Sequence, residues 1–303
     1  MAEFFNTTQR RNVIIYHGGC PDGTASAWCF YHALNDDQLA ECKFYPASHS
    51  NKKYPSVDNC HVYIVDFSYS KDIIVEMLNK ALSVTVLDHH KTSQELSNIT
   101  HEKFRLVLDM NRSGAQITWD FIHRGKPRPW FINDIADKDL WTWKIPFSQE
   151  TTRAIDSNDH ASSVENFDKL TKVSRNKYKL YGRILRNDDI ITYRQHTEHA
   201  IRCIFTIGNN TYKVLAVECR SRLASNVGDY ILRKNPNIDF AIMYRHNFLQ
   251  KKWVLSLRSR ENGTDVSQIA KQLQGGGHPC ASGCSVYNLY EYLEPLAHNE
   301  QFD

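Results

Sequence analysis

Val84-Thr85-Val86-Leu87-Asp88-His89-His90-Lys91-Thr92 is the stretch on which the reading of this chain turns. A short apolar, β-branched run has the length of a buried strand and ends abruptly in a carboxylate, two imidazoles and a base. In an open sheet of parallel strands, ligands gather outside the carboxyl ends. Such a strand therefore delivers Asp88, His89 and His90 to the functional edge. Carboxylate and imidazole side by side suit divalent-metal chemistry. Taken alone, the stretch fits equally a strand cap flanked by surface histidines, so its neighbours decide.

Upstream, Val62-Tyr63-Ile64-Val65 is another apolar run ending in an acid, Asp66. Ser70 can cap a following helix in which Ile74, Met77, Leu78 and Ala81 recur at helical spacing. Earlier still, Val13-Ile14-Ile15-Tyr16 leads into His17-Gly18-Gly19-Cys20-Pro21-Asp22-Gly23. Glycine and proline there demand a tight turn, and the small residues after Gly23 open a helix able to press close to the sheet. Strand, helix and strand at this rhythm predict βαβ units with right-handed crossovers. Three strand ends bearing His17 and Asp22, Asp66, and Asp88 to His90 would then converge on one edge. Downstream, Leu106 to Asp109 reads as a further strand and Ser113 to Ile122 as a helix with Ile117 and Phe121 inward. A helix from Trp130, with Phe131, Ile132 and Ile135 on its apolar face, leads to Asp137, a candidate fifth ligand.

Residues 1–11 read as a polar lead-in. The segment 163–199 is rich in Lys, Arg, Asp and Tyr and reads as linking helices; its basic stretch from Lys172 to Arg186 suits a solvated face. A second domain starts near Ile201. It opens with a hairpin around Gly208-Asn209-Asn210-Thr211, continues with a helix over 223–232, two strands at 240–244 and 253–257, and a helix over 266–273. It then reaches Gly275-Gly276-Gly277-His278. Gly276 and Gly277 would let backbone N–H groups approach a ligand beside His278. Arg258, at a strand end, offers a fork suited to phosphate oxygens. The expected division is 1–165, 166–200 and 201–303.

With 303 residues, 41% of them hydrophobic and 23% charged, the chain can bury two cores. A net charge of +3 permits a polyanionic substrate without requiring one. No window of about 18 apolar residues occurs, so no membrane span is expected. Eight scattered cysteines without a CxxC pair fit a reducing, cytoplasmic location.

Together these stretches resemble the DHH phosphoesterase superfamily, in particular members with the DHH-associated, GGGH-bearing C-terminal domain. The resemblance covers about residues 13–284. It implies an α/β fold: an N-terminal parallel-sheet domain joined by helices to a smaller α/β domain, with the active site in the cleft between them. It further implies a dinuclear centre of two Mn2+ ions, with Mg2+ or Co2+ as substitutes. The metal ligands would be His17, Asp22, Asp66 (bridging), His89 and Asp137. Asp88 would hold an imidazole, and His90 would face the phosphate as part of the catalytic pair. Arg258, His278 and the backbone at Gly276 and Gly277 would bind substrate. The family's usual extra carboxylate just before Asp22 is missing here; Cys20, as a thiolate, or water would stand in its place.

The implied activity is metal-assisted hydrolysis of phosphodiesters in short single-stranded oligonucleotides, cyclic dinucleotides or nucleoside phosphates. The alternatives are a pyrophosphate or polyphosphate hydrolase, and a nucleotide-binding sensor short of one metal. No membrane partner is expected, and oligomeric state stays open.

Overall fold

The structure, a computed structural model, describes residues 12–48, 53–158, 160 and 163–297. The lead-in expected over residues 1–11 lies outside them. The chain divides into two units, residues 1–186 and 187–303.

The first unit contains β1 (Asn12–His17), α1 (Pro21–Ala33), α2 (Asp36–Ala40), β2 (Cys42–Ala47), β3 (His61–Val65), α3 (Lys71–Leu78), β4 (Ser83–Asp88), β5 (Phe104–Leu108), α4 (Gly114–Ile122), α5 (Trp130–Asp139), α6 (Ser148–Ser157) and α7 (Val164–Asp168). The long α8 (Arg175–Glu198) begins in this unit and runs past its boundary. Five parallel strands form one sheet in the order β2-β1-β3-β4-β5. Ile14, Val65 and Leu87 pack on one face with residues of α1, α4 and α5, while Ile15, Ile64 and Val86 pack on the other with α3. Burial on both faces explains why these strands are continuous apolar runs without alternation.

No apolar run marks β2, which is an edge strand containing Pro46. A proline without an N–H is tolerated there because one side of the strand needs no ladder partner. Ser70 occupies the cap position of α3, but its side chain makes no capping hydrogen bond. Ser113 does cap α4, in a reciprocal box with Gln116.

The basic stretch is only partly a solvated face. Arg175 Nε donates to Asp134 Oδ2 at 2.8 Å, and Lys179 Nζ stands 3.4 Å from the Phe147 ring centroid. Arg186 pairs with Glu150 at 3.4 Å. A Cβ at Gly182 would lie 1.7 Å from the Glu150 carbonyl oxygen, so the backbones of α8 and α6 touch.

The second unit holds β6 (Ile201–Ile207), β7 (Asn210–Glu218), α9 (Ala224–Lys234), β8 (Phe240–Asn247), β9 (Lys252–Ser259), α10 (Val266–Gln272), β10 (Gly276–His278), β11 (Ala281–Val286) and β12 (Leu293–Pro295). Its sheet runs β10-β11-β9-β8-β7-β6-β12, with β7 and β8 parallel and the other described pairs antiparallel. α9 covers one face over Leu215, Val217, Ala241 and Met243. α10 packs on the other face with Ile242, Leu255 and Leu257.

The expected glycine loop is largely a short edge strand. A Cβ at Gly275 would lie 2.1 Å from the Gly283 carbonyl oxygen, and one at Gly277 would lie 2.6 Å from that of Ala281. Close strand pairing therefore accounts for those two glycines. Gly276 has open space where a Cβ would be. No described helix is long and apolar enough to cross a membrane. All eight cysteines are free thiols.

Candidate metal centre

The parallel register brings the carboxyl ends of β1, β3 and β4 level, so His17, Asp66 and Asp88 start from one edge. Asp66 leaves the sheet through a left-handed turn at φ 61°, uncommon for a residue with a side chain. Its oxygens are buried, with the His89 Nε2 at 3.2 Å and the His17 Nδ1 at 3.4 Å. His89 Nε2 is also 3.4 Å from Asp139 Oδ2. Asp22, from the first turn of α1, accepts the Ala115 amide at 3.2 Å through Oδ1, and its buried Oδ2 has no hydrogen-bond partner.

Glycines make the close approach possible. At Gly23 a Cβ would meet the His17 carbonyl oxygen at 2.2 Å; at Gly114 it would meet Asp66 Cβ at 2.6 Å and Oδ1 at 2.7 Å. Gly114→Ala is therefore expected to push Asp66 aside. Binding of a divalent cation at this cluster should weaken at least about tenfold while far-ultraviolet circular dichroism is unchanged.

Three donor groups each have their ligand atoms within 4.8 Å: Asp66 with Asp88, His89 and His90; His17 with Cys20 and Asp66; and Asp22 with His89 and Asp139. Asp66 belongs to two of them and His89 to two, the pattern of neighbouring sites sharing ligands. The electrostatics suit cations. Burial, then the Asp66 and Asp139 charges, push Asp22 well above the usual carboxylate range. Burial and Asp66 likewise push Asp139 up. Burial opposes the charge on Asp66, yet the His17 and His89 imidazoles hold its carboxyl well below the usual range. Burial opposes the His89 imidazolium too, yet Asp66 and Asp139 carry it up to about 10. Three crowded acids leave Asp22 Oδ2, both Asp66 oxygens and Asp139 Oδ2 buried without hydrogen-bond donors. Oxygen and imidazole donors so arranged fit divalent first-row metals.

Asp88 stands behind this layer. It is fully buried and accepts the His89 amide at 2.8 Å, the His90 ring Nδ1 at 2.8 Å and the Ser93 hydroxyl. Burial works against it, but the His90 ring holds Asp88 below its ordinary range, and Asp88 in turn raises His90 against burial. Cys20 lies with His17 and Asp66, and its thiol is pushed well up by burial and by the Asp66, Asp139 and Asp22 charges. It stays protonated unless a cation offsets those charges.

The structure brings His17, Cys20, Asp22, Asp66 and His89 together but not Asp137. The Asp137 carboxylate accepts from the Thr142 and Ser148 hydroxyls and from the Lys144 and Ile145 amides, stapling the turn after α5. Asp139 stands at the cluster in its place. Phe131 and Ile135, both buried on α5, continue at four-residue spacing to the half-buried Asp139, and that helical phase is the signal the sequence carries.

In the second unit, Arg258 and His278 are both in register with Ala281. Burial pulls the Arg258 guanidinium down to about 10. Its nitrogens donate to the Leu257 carbonyl at 2.7 Å and to Ser225 Oγ at 2.8 Å, and no described carboxylate pairs with it.

Comparison with known proteins agrees with this fold. The chain belongs to the DHH phosphoesterase superfamily. It is 30% identical over 297 residues to an uncharacterised protein of Acanthamoeba polyphaga mimivirus, covering 92% of this chain and 68% of that one, and shares its family. It is 22% identical over 245 residues to the oligoribonuclease NrnB of Bacillus subtilis (strain 168), covering 71% of this chain and 56% of NrnB. Among solved structures, the DHH domain of a protein assigned to a family of ribosomal proteins superposes with a TM-score of 0.58 at 10% identity, covering 94% and 83% of the two chains. RecJ from Thermus thermophilus, solved with Mn2+, gives 0.51 at 13% identity, covering 92% of this chain and 50% of RecJ. No family model matches the chain.

Proposed function

We propose that this protein is a manganese-dependent phosphodiesterase acting on short single-stranded oligonucleotides. The observation that carries the reading is the meeting, at the carboxyl edge of a parallel sheet, of three carboxylates with buried oxygens lacking hydrogen-bond donors and two imidazoles. His17, Asp22, Asp66, His89 and Asp139 would hold two divalent cations, with Cys20 as thiolate or water beside His17. Bound there, such cations neutralise a phosphodiester's charge, lower the pKa of water and stabilise the leaving oxygen. Mixed nitrogen and oxygen donors favour Mn2+ over Mg2+, which prefers oxygen and water.

The protein's own groups do the rest. Asp88 fixes the His90 ring through the contact between Oδ1 and Nδ1, and His90 so held would face a phosphate oxygen. Arg258 and His278 bind a substrate phosphate, and the Arg258 cation, left without a described carboxylate, gains an anion when substrate binds. His278→Ala and Arg258→Met are each expected to raise KM at least about tenfold, with the melting temperature within a few degrees of the parent.

The nucleotidic choice rests on the likeness to NrnB, named an oligoribonuclease. The test is manganese-dependent hydrolysis of di- to pentanucleotides, cyclic dinucleotides and polyphosphate side by side. Oligonucleotide cleavage supports the reading; release from polyphosphate alone, or no turnover at all, overturns it. The departure at Cys20 favours one second reading, a nucleotide-binding sensor with a single metal, and counting bound metal separates the two.

A further inference from the structure

The sheet of the second unit is open over part of the face that carries α9. Side chains on this face alternate along β9 as Arg258, Ser256, Val254 and Lys252, and along β11 as Ala281, Gly283 and Ser285, with Tyr287 one residue past its end. α9 packs down onto Arg258, where a Cβ at Gly228 would lie 2.9 Å from Arg258 Cβ. Beyond it Gly283 and Ser285 are exposed, and Tyr287 is 73% exposed.

This floor is small and polar, and cations stand at both ends. One end holds Arg258 and His278, opposite Ala281. At the other, Lys252 Nζ lies 4.6 Å from the Tyr287 ring centroid, and Arg245 is level with Val254. Arg245 donates from Nε to Ser221 Oγ at 2.7 Å and, with His196, Glu218, Cys219 and Arg220, lines a cavity of about 330 Å³. Six residues of β9 separate the ends, roughly 20 Å at about 3.3 Å per residue. A pyrophosphate or a mononucleotide at Arg258 is too short to reach Tyr287. A single strand has what this surface matches: repeated phosphates for separated cations, and bases with faces that stack on an exposed ring.

We infer that this open face is a track for single-stranded nucleic acid, with one phosphate at Arg258 and His278 and a later nucleotide stacked on Tyr287 beside Lys252 and Arg245. The placement of the first phosphate rests on the function proposed above; the track itself rests on the sheet.

The test is fluorescence anisotropy with the full chain in chelator, so that nothing is cleaved, using labelled oligonucleotides of two to ten residues. Wild-type affinity is expected to rise at least about tenfold from dinucleotide to decanucleotide. Tyr287→Ala and Lys252→Gln should each lose about tenfold on the decanucleotide and none on the dinucleotide, and Lys252→Gln and Arg245→Gln should each lower the salt slope by about one. A decanucleotide that binds no tighter than the dinucleotide, or that binds the variants as well as the parent, overturns the track. Hydrolysis separates the two claims. Cleavage without length-dependent binding sinks the track alone, whereas length-dependent binding without manganese-dependent cleavage sinks the enzyme reading and leaves the track standing.

Discussion

Asp66→Asn is expected to reduce phosphodiester hydrolysis at least about a thousandfold, roughly 4 kcal/mol of transition-state stabilisation, with the fold intact. The side chain is within 3.4 Å of both the His17 and the His89 rings and shares two of the three donor groups. Among the described residues only His89 joins as many. An amide keeps the shape but removes the charge and one acceptor, so any cation held there would lose a ligand that two of the donor groups share. The check has a readout besides turnover. Manganese at 100 times its dissociation constant should stabilise the wild type by about 2.7 kcal/mol, visible as a higher melting temperature that chelator reverses. In Asp66→Asn that rise should nearly vanish. Full activity in the variant, or a wild-type melting temperature indifferent to manganese, would remove the metal centre from the account.

The second large effect distinguishes two acids two residues apart. Asp139→Asn is expected to lower activity at least about a hundredfold and shrink the manganese shift, while leaving the metal-free protein as stable as before or more so. The sign follows from the electrostatics: burial and Asp66 push the Asp139 pKa up, so its charge is disfavoured in the fold and a neutral amide relieves the repulsion. Asp137→Ala should do the opposite. It leaves the Thr142 and Ser148 hydroxyls and the Lys144 and Ile145 amides without their acceptor, at a cost of about 3 kcal/mol, and spares the manganese shift of the protein that stays folded. Melting curves with and without manganese on the two variants decide the matter. Loss of the shift in Asp137→Ala with retention in Asp139→Asn would restore Asp137 as the ligand.

That exchange shows how far residue patterns reach. The runs ending at His17, Asp66 and Asp88 were legible because strands buried on both faces must be continuously apolar. A polar residue at the end of such a run can only mark the sheet edge, and parallel register then places successive edges side by side. β2 was not legible, since an edge strand tolerates lysine and proline and so carries no such signature. Asp137 and Asp139 both lie in the last turn of α5, and choosing between them needs the helix phase and the path of the turn behind it. Gly114 is silent in sequence because its role is to admit Asp66, which lies 48 positions away in the chain.

By itself, then, the amino-acid sequence determined the parallel sheet, the two-part organisation and the edge where acids and imidazoles gather, because burial periodicity and turn chemistry are local. Tertiary structure alone decided that Asp139 and not Asp137 faces His89, that Gly275 and Gly277 serve strand pairing, and that Arg258 lies beneath α9 in register with the residue His278 opposes. Each of those depends on which backbone approaches which within a few ångströms, a distance set by packing between segments remote in the chain.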